Sequence, residues 1–399
     1  MDTYLLDWAN LLLRWAHVIV AIAWIGSSFY FVFLDNSLTA PTDPALKDKG
    51  VNGELWAVHG GGFYHPQKYM VAPKSLPENL HWFYWESYST WLTGFGLFTV
   101  LYLWNAGTFL VDKSVFAWSP GAAIAAALAF LAVFWLAYDA ICRTLGQKPN
   151  GDRNVALLTT LLVVLASWLA CHLFAGRAAF LLVGAMIATA MSANVFFWII
   201  PGQRTVIKQM KAGEPVDPVH GQRAKQRSVH NTYFTLPVLV AMLSNHYGFL
   251  YTGPHNWIVL VAIMAAGALI RHSFVARHKA LVAGKRVPWE YATVGTLAIV
   301  ALVAWLRPAP VAAVAAGTPA PSFAQVQAVV EQRCVLCHGA QVQNKNVALH
   351  TPALVEQHAQ AIYQQAVVLK LMPMGNATQM TDEERLLLKR WFEAGATTR

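Results

Sequence analysis

The chain has 399 residues, of which 56% are hydrophobic and 12% charged, where a soluble chain carries about 25% charged residues. With a mean hydropathy of +0.40, this excludes an ordinary soluble enzyme and a disordered chain. The net charge of +9 does not signal nucleic acid, because the basic residues sit in loops between apolar runs, which is the pattern of membrane topology.

About 20 apolar residues span a bilayer as a helix. Eight stretches meet that requirement, roughly 11–34, 84–106, 119–141, 154–175, 178–200, 229–250, 256–275 and 289–306. With the N-terminus outside, the inward segments 35–83, 139–153, 201–228 and 271–288 carry four, three, six and five Lys and Arg. The outward segments hold only Arg14, Lys113, Arg177 and Arg307, the bias of the positive-inside rule. The first run is too long for a cleavable signal peptide and lacks a small-residue cleavage site, so it is expected to be an uncleaved anchor. The expected fold is all-α, an eight-span transmembrane bundle over residues 1–307 with both chain ends on the outer side.

Histidine inside a span is a functional hypothesis by default, and imidazoles on facing helices are a standard way to hold a b-type haem. On this topology His17, His172, His246 and His255 fall near the outer face, and His81, His230 and His272 near the inner one. The alternative for each is an interfacial or hydrogen-bonded histidine at a span end. His17 is the best placed, well inside an apolar run between Trp15 and Trp24. The candidate haem b ligands are His17, His246, His230 and His272.

The first inward segment, 35–83, is long for a connector and too aromatic for disorder. It contains Glu54-Leu55-Trp56-Ala57-Val58-His59-Gly60-Gly61-Gly62-Phe63-Tyr64-His65-Pro66-Gln67-Lys68-Tyr69. Glycines let a backbone approach a ligand closely, or simply turn the chain. The segment runs into Leu80-His81-Trp82-Phe83-Tyr84-Trp85-Glu86, which places an acid at a membrane boundary.

Residues 308–321 are rich in Pro and Ala and are expected to form an extended linker. Beyond it, Cys334-Val335-Leu336-Cys337-His338 is the attachment signature of a c-type haem. One helical turn puts both thiols on one face to form thioethers, and the histidine that follows becomes the proximal iron ligand. Half of a zinc site is the alternative, but it needs two more ligands at suitable spacing, and Cys142 and Cys171 lie far away in apolar runs. Haem c is attached outside the cytoplasm, which agrees with the topology. Residues 322–399 are therefore expected to be a small cytochrome c domain in the periplasm, on a protein of the bacterial inner membrane. Ser322 with Gln325 and Thr381 with Glu384 read as capping boxes that open helices. The Met-Pro pair at 372–373 resembles the axial-ligand loop of small cytochromes c and favours Met372, with Met374 second and Met380 third. A Met/His pair raises the reduction potential, so this haem is expected to receive electrons.

The segment from Trp15 to Gly26 resembles the first span of HemJ-type protoporphyrinogen oxidases, in which the matching histidine binds haem b. Nearly the whole chain resembles the bacterial membrane-integral urate oxidases. The resemblance rests on eight spans, the His17 segment, the Gly-Gly-Gly-Phe-Tyr-His loop followed by Trp-Phe-Tyr-Trp-Glu, and a cytochrome c tail. It implies oxidation of urate to 5-hydroxyisourate, with water as the oxygen source and the fused cytochrome as electron acceptor. A downstream respiratory cytochrome or terminal oxidase would be the partner. Such chemistry would use Lys68 to pair with the urate anion, Tyr69 or Trp85 as a stacking wall, and His65 or Glu86 to take a proton. No Gly-x-Gly-x-x-Gly unit points to a nucleotide cofactor, which leaves haem to carry the electrons. A porphyrinogen oxidase on the same frame and a non-catalytic electron-transfer subunit are the competing readings.

Overall fold

The computed structural model describes residues 3–69, 72–307, 320–344 and 347–398. Most of the segment expected as a linker, and its conformation with it, lies outside the described residues.

All eight apolar stretches are helical. The first is α1 (Thr3–Ser37), followed by a short α2 (Pro44–Asp48) and four strands, β1 (Val51–Glu54), β2 (Ala57–His59), β3 (Gly62–Tyr64) and β4 (Gln67–Tyr69). The second stretch is α3 (Trp85–Phe98), extended by one π-helical turn at Thr99–Leu103, then the single turn α4 (Ala106–Phe109). The rest of the bundle is α5 (Pro120–Leu145), α6 (Gly151–Leu173), α7 (Gly176–Asn194), α8 (Ile200–Lys211), α9 (Pro218–Leu243), α10 (Asn256–Val282) and α11 (Glu290–Trp305). Among the described residues five helical runs are long and apolar enough to cross a membrane: α1, α5, α6, the continuous run from α7 through α8, and α10. The other three differ for visible reasons. α3 passes into the π turn, α9 begins with a polar half and holds Pro237 in its interior, and α11 has 16 residues, short of the roughly 20 that a straight span needs.

α7 is the centre of the bundle. Ala178, Ala179, Leu182, Val183, Met186, Ile187 and Ala190 are all buried against α5, α6 and α9. Small residues allow that closeness: a Cβ on Gly184 would meet Ala241 Cβ at 2.8 Å. α1 lies on the outside, against α3 and α10, and leaves Leu5, Leu11, Leu12, Ile19 and Ile22 exposed as a surface suited to lipid.

The chain is mostly helical, but segment 51–69 departs from the all-α expectation. β1 pairs antiparallel with β4, and β2 with β3. Gly60 and Gly61 supply the reason. Both have positive φ, +57° and +81°, which a two-residue hairpin turn demands and glycine meets at no steric cost. The glycines thus turn the chain, and open space surrounds both of their Cβ positions.

The C-terminal unit contains α12 (Phe323–Arg333), α13 (Val335–His338), α14 (Pro352–Gln357), α15 (Ala359–Ile362) and α16 (Asp382–Glu393). Both expected capping boxes form. Ser322 N–H donates to Gln325 Oε1 at 3.0 Å; Thr381 N–H donates to Glu384 Oε2 at 2.7 Å, and Glu384 N–H returns to Thr381 Oγ1 at 3.2 Å. Val326, Val330, Val355, Leu388 and Trp391 fill its small core. A loop of this unit touches the bundle. Leu371 packs against the bundle core, and the turn Met374–Asn376 lies against α4.

Candidate functional site

The strands at 51–69 bring a carboxylate and an imidazole together. His65 Nε2 lies 2.6 Å from Glu54 Oε2, and its ring stacks on Trp56 with centroids 4.0 Å apart and planes 9° off parallel. The carboxylate is steadied on its other oxygen by Thr42 N–H at 3.3 Å. The pairing follows from the ladders, because β1 and β4 carry the chain back on itself and Leu55 N–H bonds Pro66 C=O at 3.1 Å. Lys68 is ion-paired with Asp35 at the end of α1, so its ammonium is shared with an aspartate. Tyr69 is opposite Val51 in the β1–β4 ladder. Glu86 sits in the first turn of α3, and its Oε2 is buried without a hydrogen-bond partner. Among the described residues no hydrogen bond, ion pair or ring contact joins Glu86 to His65, Lys68 or Tyr69. The structure therefore groups His65 with Glu54 and Lys68 with Asp35, and keeps Glu86 apart.

His17 projects from α1 onto α3. Its Nδ1 lies 3.1 Å from Thr90 C=O and 3.0 Å from Thr93 Oγ1. The carbonyl can only accept, and the Thr93 hydroxyl already donates to Ser89 C=O at 2.7 Å. The proton is thus on Nδ1 and the lone pair on Nε2. Gly94 makes room for the ring, since a Cβ there would come within 2.9 Å of His17 Cε1. A second-partner hydrogen bond that fixes the tautomer is what an iron-ligating imidazole needs, so His17 fits that role.

The other membrane histidines differ. His230 on α9 has Nδ1 2.7 Å from the Tyr138 hydroxyl, which itself accepts from Asn194 Nδ2 at 3.0 Å. The phenolic hydrogen then goes to His230 Nδ1, which leaves the proton of the neutral ring on Nε2. His272 meets Tyr233 OH at 2.8 Å. His246 is exposed on the turn Ser244–His246 that follows α9. Among the described residues no three His, Cys, Asp or Glu side chains form a cluster able to hold a bare metal ion.

A buried polar network that the sequence did not reveal lies beside His230. Arg227 Nη2 donates to Asp139 Oδ1 at 2.6 Å and Nη1 to Asn194 Oδ1 at 3.0 Å. Trp198 Nε1 donates to the same Asp139 oxygen at 2.7 Å, and Asn194 also bridges to Asn231 Oδ1 at 2.9 Å. The partners come from α5, α7, α9 and the π turn between α7 and α8. The only sequence signal was charge inside otherwise apolar helices.

In the C-terminal unit α13 places Cys334, Cys337 and His338 within one turn. Cys334 is half-buried and Cys337 exposed. His338 Nδ1 lies 3.1 Å from Val347 C=O. A carbonyl accepts, so the proton is on Nδ1 and the lone pair on Nε2. Cys334 and Met372 pack against the same small core, and the Met372 backbone is held by Gln365 C=O at 3.0 Å and by Arg385 Nη1 at 2.8 Å. Met380 is buried within that core, and Met374 begins the turn that touches α4. Two thiols, an imidazole with a fixed free lone pair and a nearby thioether suit a covalent haem.

A family described as urate oxidase N-terminal matches residues 3–307. The chain belongs to that family. No curated protein and no solved structure matches it. As a urate oxidase-like protein, it has a urate-related oxidative function, and the matched region takes in the His65–Glu54 pair, His17 and the buried network. The match ends where the segment expected as a linker begins.

Proposed function

We propose that this protein oxidises urate to 5-hydroxyisourate in the bacterial inner membrane and passes the electrons to its own C-terminal cytochrome c. One observation carries the reading: a urate oxidase family match shares a chain with Cys334, Cys337 and His338 arranged on one helical turn. The eight helical stretches, with the positive charge bias of their loops, support a bundle whose two ends face the periplasm.

The reaction removes two electrons and two protons, and water supplies the new oxygen. Haem, when bound, supplies one-electron acceptors: a b-type group held by His17 and a c-type group on Cys334 and Cys337 with His338 and Met372. His65 takes a proton from water, with Glu54 holding the ring in place and stabilising it once charged. Trp56 excludes solvent from one face of that imidazole. Lys68 and Tyr69 lie one strand away, where the Lys68–Asp35 pair opens to meet an anion. Glu86, whose Oε2 has no partner, is a second proton acceptor. The downstream acceptor is a respiratory cytochrome or terminal oxidase.

The test is anaerobic mixing of purified full-length protein with urate. Reduction of the haem c band, with 5-hydroxyisourate formed, is expected. Aerobic turnover is expected without hydrogen peroxide. A protein whose haem is reduced only when a partner is added is a carrier, and the proposal then fails.

A further inference from the structure

Arg271 is a cation at the inner end of the apolar part of α10 with only 9% of its surface exposed. Its Nε and Nη2 are buried and have no hydrogen-bond partner. A buried charge normally arrives with a counter-ion, as Arg227 does with Asp139 in this same bundle. Among the described residues no carboxylate forms an ion pair with Arg271. The guanidinium instead lies over the Phe29 ring, 3.7 Å from its centroid, which stabilises a cation and leaves the two N–H groups unsatisfied.

Arg271 also lines a cavity of about 370 Å³ between α1, α9 and α10. Phe29, Phe33, Phe274 and His278 line it with Arg271, together with aliphatic side chains. Aromatic walls, one cationic side chain and a volume at the small end of the range for ligand sites, about 300–1,000 Å³, suit one flat bicyclic ring and not a porphyrin. A larger depression of about 630 Å³ on α6 is lined by Leu145, Leu157, Leu158 and Leu161 with no ionisable side chain, and offers nothing to an anion. The Arg271 cavity is also tied to the segment that holds the His65–Glu54 pair. Asn36 Nδ2 at the end of α1 donates to Val275 C=O at 3.2 Å, and the adjacent Asp35 holds Lys68.

We infer that this cavity binds the substrate anion, an oxopurine, with Arg271 as its counter-ion. The inference rests on the urate reading above and gives its anion a counter-ion other than Lys68, which Asp35 holds. The urate monoanion has lost a ring N–H, which leaves a deprotonated nitrogen beside a carbonyl oxygen. Those two acceptors match the side-on pair Nε–H and Nη2–H of a guanidinium, a bidentate contact that lysine cannot reproduce. Phe274 offers an aromatic wall to the purine, while Phe29 backs the guanidinium. Urate thus neutralises a buried charge for which no carboxylate partner is found among the described residues.

Equilibrium dialysis of radiolabelled urate against the full-length protein in detergent tests this, alongside Arg271→Met and Arg271→Lys. Haem b per haem c and the unfolding temperature are measured on the same samples. Loss of charge-assisted hydrogen bonds predicts roughly 10- to 100-fold weaker urate binding in Arg271→Met. Arg271→Lys, which keeps the charge, falls between it and the wild type and carries the test if Arg271→Met does not fold. Unchanged affinity in the variants overturns the assignment while leaving the urate reading intact. Loss of haem b at unchanged affinity also overturns it, because the guanidinium then belongs to a haem propionate. A wild-type protein that binds no urate removes both.

Discussion

A Cβ placed on Gly248 would come within 2.5 Å of Leu371 Cδ2. Gly248 lies in the turns between α9 and α10, and Leu371 immediately precedes Met372. A loop by which the C-terminal unit touches the bundle is therefore the loop that carries the candidate iron ligand. Gly248→Val has to push Leu371 away. The expected outcome is slower reduction of haem c by urate in stopped-flow measurements, with half-saturation by urate unchanged. An unaltered rate would take this contact out of the electron route.

The Glu54–His65 pair makes a separate prediction about chemistry. If His65 is the proton acceptor, His65→Ala lowers kcat by roughly 10²–10⁴-fold. Glu54→Gln keeps a hydrogen bond to the ring but removes the negative charge, so kcat falls in the same direction and by less. Steady-state reduction of an external cytochrome checks both. A His65→Ala enzyme with wild-type kcat would return the role to Glu86.

His17 is tested through its neighbour as well as directly. His17→Ala is expected to lose haem b and keep haem c, read from a pyridine haemochrome spectrum. Gly94→Ala puts a methyl group 2.9 Å from the ring carbon, closer than packed atoms approach. It should lower the haem b content without touching a ligand. Full haem b in both variants would defeat the assignment.

The helices were legible because apolar runs and loop charges are local signals, and so were the caps at Ser322 and Thr381, whose partners lie three residues away. Glu54 was visible as a residue but not as the partner of His65, because a ladder between short strands sets that distance. Lys68 looked like a free anion receptor because Asp35 lies on another element. Asp139 and Arg227, 88 residues apart, meet only after four segments of the bundle have packed. Arg271 read as one more inward positive charge near the end of a span. Only its burial, with no ion-paired acid among the described residues, marks it as a site.

The Arg227–Asp139 pair gives the last prediction, one of stability. Both side chains are almost fully buried, at 3% and 10% exposure, and Asp139 also accepts from Trp198. Removing Asp139 leaves Arg227 as an uncompensated buried charge, which costs about 3–5 kcal/mol; removing Arg227 leaves Asp139 with the exposed Arg143 at 3.8 Å and costs less. Arg227→Met and Asp139→Leu should each lower the thermal unfolding midpoint in detergent by many degrees. The double variant buries no charge, and well-packed apolar replacements of a buried pair are often neutral. It should therefore recover much of the loss, although Trp198 Nε1 and Asn194 Oδ1 each remain without one partner. A double variant that loses the sum of the two single losses would show that the residues act independently, and that the network contributes through its separate hydrogen bonds and not through charge pairing.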